Sequence, residues 1–256
     1  DLKEKMQRLA RAAEQTLDFD ALMEIAKSAP PLSFAPPELP KPGVPVRIGV
    51  ARDKAFCFFY EDSLALLRKL GAELVDFSPL EDETLPENLQ GLYLPGGYPE
   101  LYAEALSQNK SMRESVRKAV TGGLPCIAEC GGFMYLTERI GSFPMAGALK
   151  GVCFDTGKLT RFGYVTLTAQ KDNLLCRAGE QIPAHEFHHW DAEHPGEDFR
   201  AEKPSGRSWP CAHASKTLYA GFPHFHFYAN PSFAVRFLDA CRKESCHAGT
   251  NKAHGD

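Results

Sequence analysis

A cysteine followed by two glycines is the pattern with the clearest chemistry in this sequence of 256 residues. Leu124 to Ala128 is predicted to be a buried strand, and a helix is predicted to begin directly after Cys130. A thiol at such a turn projects above the sheet edge, beside helix N-terminal N–H groups that favour a thiolate and can bind an oxyanion. Gly131 and Gly132 let the chain turn without Cβ clashes and let a substrate approach the backbone. We therefore predict that Cys130 is a nucleophile rather than an ordinary buried cysteine.

Two other segments offer the groups that a cysteine nucleophile requires. Gly96 and Gly97 follow a predicted strand and open a predicted helix, so their N–H groups, with that of Gly131, are candidates for holding an oxyanion or substrate. His224 and His226 lie in a predicted extended segment, where alternation would place both on one face near the active edge. Histidine is a common base for a thiol nucleophile. The residues alone leave open which of the two histidines is the base.

A further histidine cluster, from His185 to His189, matches the His-Glu-x-x-His pattern of zinc proteases. That pattern binds zinc only on a helix, whereas Pro183 and the apolar residues around the motif suit an extended segment. We therefore predict a strand whose polar groups face a cleft or a partner domain, and no metal site.

Alternating strands and helices after residue 45 predict the scaffold that positions these groups. Such alternation is typical of an α/β fold with a doubly wound, mostly parallel sheet, in which ligands bind at the carboxyl ends of the strands. The predicted strands are Arg47–Ala51, Glu73–Phe77, Gly91–Leu94 and Leu124–Ala128, and the predicted helices between them are Tyr60–Leu70, Glu100–Ser107 and Ser111–Val120. After about Phe143 the pattern predicts extra strands in the C-terminal half, and a helix over Ser232–Arg242 closes the domain.

The chain is predicted to contain three regions. Residues 1–43 form two short helices, capped between them by Asp18 or Asp20, and a proline-rich linker. Residues 44–244 form the catalytic domain, and the polar tail 245–256 is predicted to be disordered. The chain begins inside a helix without a Met, which suggests a fragment of a longer protein.

Composition restricts the partners. A net charge of −4 with 24% charged residues is unlike a nucleic-acid-binding surface. No apolar run approaches the roughly 20 residues that span a bilayer, and no signal peptide is recognisable. The eight cysteines are scattered without Cys-x-x-Cys spacing and are interpreted as reduced thiols. We expect a cytoplasmic protein with no nucleic acid and no membrane as partner.

Four motifs in order resemble the C-terminal class I glutamine amidotransferase domain of cobyrinate a,c-diamide synthases. They are Leu94–Glu100 (LPGGYPE), Ala128–Leu136 (AECGGFMYL), His185–His188 (HEFH) and His224–Phe227 (HFHF) followed by Asn230-Pro231. The resemblance covers roughly residues 44 to 240. It implies a flavodoxin-like fold and a glutaminase in which Cys130 attacks the side-chain amide of L-glutamine, ammonia leaves, and water hydrolyses the γ-glutamyl thioester. His224 would move the protons, with His226 as the reserve choice.

The resemblance carries two further expectations about residues. Relatives outside this branch have a glutamate two residues after the histidine, where this sequence has His226. A Cys130–His224 pair without a carboxylate third member is therefore expected. Glu186 or His188 would help to hold the corrin or the contact with another domain.

The resembled enzymes also imply a synthetase half that binds ATP and Mg²⁺, activates the a and c carboxylates of cobyrinate for cobalamin biosynthesis, and receives the ammonia. That half is absent from this sequence, which lacks the phosphate-binding G-x-x-x-x-G-K-[ST] motif. We expect no cofactor in this chain and interpret residues 1–43 as the remnant that joins the missing half. Alternatives are the glutaminase domain of a cobyric acid synthase or of a Ni-sirohydrochlorin a,c-diamide synthase, and, in another class, a catalytically silent binding or assembly module.

Overall fold

The computed structural model describes the backbone of residues 1–250 and the side chains of residues 1–243. The chain divides into two compact units, Asp1–Glu38 and a second unit that begins at Leu39. The division lies inside the proline-rich stretch that the sequence predicts to be a linker.

The helices and strands of the described residues are as follows. The helices are α1 (Leu2–Thr16), α2 (Phe19–Ser28), α3 (Glu61–Lys69), α4 (Ala103–Gln108), α5 (Lys110–Thr121), α6 (Gly131–Leu136) and α7 (Pro231–Thr250), with 3-10 turns at Pro99–Tyr102 and Phe227–Ala229. The strands are β1 (Val46–Ala51), β2 (Ala72–Phe77), β3 (Gly91–Leu94), β4 (Cys126–Glu129), β5 (Arg139–Ile140), β6 (Phe143–Pro144), β7 (Val152–Asp155), β8 (Arg161–Ala169), β9 (Gln181–His188), β10 (Trp190–Ala192), β11 (Phe199–Glu202), β12 (Ser208–Cys211), β13 (His213–Ala214), β14 (Leu218–Gly221) and β15 (His224–Phe225).

The N-terminal unit consists of α1 and α2, which the sequence predicts. Asp18 caps α2, since its side chain accepts a hydrogen bond of 2.9 Å from the Ala21 N–H group. Neither helix contains a buried residue. Their apolar side chains, such as Met6 and Ile25, are exposed.

The central sheet of the second unit has the strand order β2-β1-β3-β4-β14-β13. All neighbouring pairs are parallel except the edge pair β13–β14. Strands β3 and β4 are buried along their whole length, as expected for the middle of a parallel sheet covered on both faces. The order β2-β1-β3-β4-β14 is that of flavodoxin-like folds, which confirms the doubly wound sheet.

Separate hydrophobic clusters cover the two faces of this sheet. One includes Ile48 of β1, Leu67 of α3 and Phe237 of α7. The other includes Leu92 of β3, with Met112 of α5 and Phe133 of α6. Helices therefore pack on both faces, and the carboxyl ends of β3, β4 and β14 lie at the same edge.

The C-terminal half adds the predicted extra strands as two smaller sheets, β10-β7-β5-β6 and the antiparallel β12-β11-β8-β9-β15. The stretch His185–His188 lies in β9, which confirms that it is extended and not helical. Strand β15 pairs with β9, so that His224 lies opposite His185. The added sheet thus anchors the segment that carries His224.

The last helix differs from the prediction. It continues through residues 245–250, which the sequence analysis assigns to a disordered tail, and residues 251–256 lie outside the described part. Among the described residues, no helix combines the length and apolar character that crossing a membrane requires.

Candidate active site

Cys130 lies at the turn between β4 and α6, as the sequence predicts. Its backbone has φ 46° and ψ −102°, a strained conformation for a residue other than glycine. Its N–H group donates a hydrogen bond of 2.7 Å to the Gly221 carbonyl at the end of β14. The side chain lies at the carboxyl edge of the sheet, as at the nucleophile elbow of α/β-hydrolases.

The two glycines after Cys130 are required by close packing. A Cβ atom at Gly132 would collide with the carbonyl group of Leu94, the last residue of β3. A Cβ atom at Gly131 would lie 2.8 Å from Cδ of Pro99 and 3.1 Å from the backbone nitrogen of Gly97. Only glycine lets α6 begin this close to the end of β3.

His224 is the histidine that meets Cys130. Its buried imidazole interacts with the Cys130 side chain, and its Nδ1 lies 3.4 Å from Oε2 of Glu129. Burial alone would lower the pKa of His224, but the hydrogen bonds and negative charges of Cys130 and Glu129 outweigh it and raise the pKa to about 10. The site therefore favours an imidazolium beside the sulfur, the arrangement of reactive thiolate–imidazolium pairs.

His226 does not approach Cys130. Its Nε2 lies 2.7 Å from Oδ2 of Asp62 near the start of α3, and its ring packs edge-on against Tyr60. The structure thus gives His226 a partner of its own and places His224 beside Cys130. Directly after His226 a 3-10 turn begins at Phe227, whose N–H group donates a hydrogen bond to the Ser63 hydroxyl of α3.

Glu129 is the site residue that the sequence analysis missed. Its carboxylate is 1% exposed and lies against His224, so a buried carboxylate lies beside the pair that the sequence analysis expects to lack a carboxylate third member. The signal was present in the sequence, because a glutamate ends an otherwise apolar buried strand directly before the nucleophile. Charged residues are almost never fully buried without partners.

Gly96 has a different role from the one expected. Its N–H group donates to the Phe58 carbonyl at 3.1 Å, and its own carbonyl accepts from the Phe58 N–H group at 3.0 Å. The Gly96 N–H group is thus already used and does not serve as an oxyanion donor. A Cβ atom at this position would collide with the imidazole of His224. Gly96 supplies the space for His224, whereas Gly97 N–H lies beside Gly131 near the elbow.

The Gly96→Ala variant should therefore displace the His224 ring. We expect kcat of the reaction that the resemblance implies to fall by about 10-fold to 100-fold, since a misplaced catalytic group costs rate more than binding. The measurement is steady-state glutamate release together with the melting temperature. Unchanged kcat in a folded variant would show that the ring position does not depend on this glycine.

The protonated His224 should also affect stability. Its pKa of about 10 in the folded chain exceeds the usual value of about 6.5 in an unfolded chain. This stabilisation is fully present below about pH 6.5 and is lost as the pH rises through about 10. We expect the free energy of unfolding of the wild type to exceed that of His224→Gln by an amount that shrinks over this range. Urea denaturation at several pH values measures it, and a constant difference would contradict the raised pKa.

Glu186 and His188 are buried on the inner face of β9, at 2% and 7% exposure. His188 Nδ1 lies 2.6 Å from the Trp190 carbonyl, and its ring stacks on Phe222 at 4.0 Å. This chain itself covers both side chains, so neither lies on an exposed surface of the described structure, and the expected contact with a corrin or another domain stays a prediction.

The outer face of β8 and β9 instead carries an exposed group of aromatic side chains. Phe162, Tyr164 and Phe187 are 58%, 78% and 53% exposed. His185 contacts the rings of Phe162 and Tyr164 and lies opposite His224 in the β9–β15 pairing. This aromatic surface, defined by Phe162, Tyr164, His185 and Phe187, therefore adjoins the strand that carries His224.

Comparison with known proteins gives one consistent match. Residues 47–232 match the CobB/CobQ-like glutamine amidotransferase domain. The cobyrinate a,c-diamide synthase of Caldanaerobacter subterraneus subsp. tengcongensis is 37% identical over 249 residues, which cover 94% of this chain and 55% of that protein. That of Dehalococcoides mccartyi (strain ATCC BAA-2266 / KCTC 15142 / 195) is 39% identical over 259 residues, covering 93% and 55%. The chain thus spans about half the length of these curated relatives.

Solved structures show the same fold at low sequence identity. PurLQS from Thermotoga maritima is similar with a TM-score of 0.55 and 18% identity, over 80% of this chain and 99% of that one. A crystal structure of a glutamine amidotransferase gives a TM-score of 0.54 and 19% identity, over 76% and 98%.

Proposed function

We propose, since the chain belongs to the CobB/CobQ-like glutamine amidotransferase family, that it hydrolyses L-glutamine through a covalent intermediate on Cys130. The observation that carries the proposal is the buried His224 imidazole beside the Cys130 thiol at a strained turn. A silent binding module of the same fold would have no physical need to keep a thiol in that conformation.

The chemistry follows from the pair. The Cys130 thiolate attacks the amide carbon of the glutamine side chain, and a C–S bond forms as the carbonyl oxygen becomes an oxyanion. Protonated His224 gives its proton to the amide nitrogen, the C–N bond breaks, and ammonia leaves. Neutral His224 then takes a proton from water, whose oxygen attacks the thioester carbon. The C–S bond breaks, and glutamate leaves with the Cys130 thiolate restored.

Two backbone N–H groups are proposed to bind the oxyanion. Gly131 is the first residue of α6, so its N–H group lacks an acceptor within the helix. The Gly97 N–H group lies beside it. A side chain at Gly131 would fill the space next to the Gly97 N–H group, and we propose that the oxyanion occupies this space.

Glutamate release by the purified 256-residue chain tests this proposal. Cys130→Ala should lower kcat by about 10⁴-fold or more, because it removes the nucleophile. Cys57→Ala is the matched control, since Cys57 is an exposed cysteine that is not the predicted nucleophile. Glutamate release that survives Cys130→Ala would contradict the proposal.

The ammonia is proposed to serve an ATP-dependent synthetase part, as in the longer relatives named cobyrinate a,c-diamide synthase. In that role the acceptors are the a and c carboxylates of cobyrinate, held at the domain interface in a cytoplasmic route to cobalamin. The acceptors of a cobyric acid synthase or a Ni-sirohydrochlorin a,c-diamide synthase are the alternatives. Similarity to the relatives covers 94% of this chain, more than the family match from 47 to 232, so it includes part of the N-terminal unit.

ATP and Mg²⁺ are assigned to that other part and not to this chain. The nearest approach to a phosphate-binding motif, Gly151 to Lys158, contains β7 and leads into a turn and not into a helix. The described residues also contain no group of three or more His, Cys, Asp or Glu side chains placed to hold a metal ion. The glutaminase steps proposed above use side chains and backbone groups of this chain.

The aromatic surface is the proposed contact with the synthetase part. It is exposed, it adjoins the strand of His224, and a partner seated there would receive ammonia close to Cys130. A titration with the separately expressed synthetase part of a relative tests it. The double variant Phe162→Ser, Phe187→Ser should weaken binding at least about 10-fold. The control is Phe154→Ser, at an exposed position of β7, which should not weaken binding. Equal binding by all variants would place the contact elsewhere.

A further inference from the structure

We propose that Glu129 is a positioning residue that orients His224, so that the site is a Cys130–His224–Glu129 triad instead of a pair. The inference deepens the proposed glutaminase function and rests on it. The contact is direct, since Oε2 of Glu129 lies 3.4 Å from Nδ1 of His224. With Nδ1 directed to the carboxylate, the other ring nitrogen is left for the sulfur of Cys130.

The Glu129 carboxylate is itself held in place. The Tyr93 hydroxyl donates a hydrogen bond of 3.0 Å to Oε2, and the Phe225 N–H group donates one of 3.3 Å to Oε1. Burial and the adjacent Glu129 charge raise the pKa of Tyr93 well above its usual value, so Tyr93 remains a neutral donor. A buried carboxylate is tolerated when its oxygens are hydrogen-bonded and a cation is near, and both conditions hold here.

The backbone explains how a residue next to the nucleophile reaches the histidine. Glu129 ends β4 and lies on the sheet face that also carries Ile127, whereas Cys130 leaves the strand at the turn. Strand β14 pairs with β4 so that Gly221 lies opposite Glu129, and His224 follows three residues later. The pairing brings His224 over both side chains at once.

A second histidine–carboxylate pair lies in the same segment and provides a control. His226 and Asp62 are 2.7 Å apart, but both side chains are partly exposed, at 35% and 60%, and neither contacts Cys130. A triad role requires a carboxylate that is linked through histidine to the sulfur, and Glu129 alone of these two carboxylates meets that requirement.

The test compares Glu129→Gln, Tyr93→Phe and Asp62→Asn in the full 256-residue chain. Glutamine keeps the size and the acceptor oxygen but removes the charge. We expect Glu129→Gln to lower kcat for glutamate release by about 100-fold with KM changed less than about 2-fold. Tyr93→Phe should lower kcat by about 3-fold to 10-fold, because it loosens the carboxylate without removing it. Asp62→Asn should leave kcat unchanged.

The second readout is the pH dependence of Cys130 alkylation by iodoacetamide, followed on the Cys130 peptide because Cys57 is also exposed. At alkaline pH the alkylation rate changes as His224 loses its proton, and we call this part of the profile the alkaline limb. Without the negative charge of Glu129, His224 should lose its proton more easily, so the alkaline limb should move to lower pH in Glu129→Gln. A purely structural role would lower stability and rates without moving the limb. The melting temperature of each variant shows whether it is folded.

Each result decides the inference separately from the proposed function. Suppose that the wild type releases glutamate, and that Glu129→Gln is folded with the same kcat and the same alkaline limb. This result overturns the proposed role of Glu129 and leaves the proposed glutaminase function intact. A wild type that releases no glutamate defeats the proposed function, and the alkylation profile then still reports whether Glu129 acts on the Cys130–His224 pair. If Glu129→Gln does not fold, Tyr93→Phe with wild-type kcat and an unmoved limb overturns the triad.

Discussion

Replacing His224 with asparagine is expected to lower kcat for glutamate release by about 10³-fold. The variant loses the group that protonates the leaving nitrogen and then takes a proton from water, and general acid–base catalysis contributes about 10²-fold to 10⁴-fold. KM should change little, since the imidazole acts on the sulfur and on the leaving group. Steady-state glutamate release with a coupled dehydrogenase gives both constants.

The matched control is His226→Asn, the same substitution two residues later. His226 bonds Asp62 and not Cys130, so kcat should stay within about 2-fold of the wild type. If His226→Asn caused the larger loss, the assignment of His224 as the proton carrier would be wrong.

Gly132→Ala is expected to destabilise the fold by about 3 kcal/mol, because the new methyl group must displace the carbonyl group of Leu94. This change in the free energy of unfolding is opposite to the one usually seen, since replacing glycine by alanine within a helix normally stabilises the helix by about 1 kcal/mol. For a chain of this size the loss corresponds to a melting temperature lower by roughly 6 to 12 °C. Thermal unfolding followed by circular dichroism measures it.

Gly179→Ala separates this collision from simple backbone strain. Gly179 has φ 83°, and no heavy atom lies within 4 Å of the position of a Cβ. Only the left-handed backbone opposes alanine there, at a cost of about 1 kcal/mol. A Gly132→Ala variant as stable as Gly179→Ala would show that α6 can move away from β3, and the tight elbow would lose its physical basis.

The elbow could be predicted from the sequence because all of its determinants are local. Within ten residues the sequence has a buried apolar strand, a cysteine and two glycines, and each of these features predicts part of the turn for a direct physical reason. The alternation of strands and helices likewise predicts the doubly wound sheet. The strand order, and with it the approach of β14 to β4, depends on long-range pairing that local periodicity does not contain.

The partners of the two histidines could not be predicted, for a different reason. Alternation along an extended segment predicts which face a side chain occupies, but not which distant residue it contacts. The contact with Asp62 joins residues 164 positions apart, and that between Glu129 and His224 joins residues 95 positions apart. Gly96 was assigned to the oxyanion for the same reason, since its pairing with Phe58 is a contact between loops.

The most direct test of the central claim is covalent labelling of the wild-type chain with a glutamine-shaped diazoketone, followed by peptide mass spectrometry. The probe requires both recognition of glutamine and an activated thiol. We predict one label on the peptide of Cys130, none on that of the exposed Cys57, protection by excess L-glutamine, and much slower labelling in His224→Asn. No label on a folded chain, or a label on Cys57 that L-glutamine does not prevent, would contradict the account of Cys130 as the glutaminase nucleophile.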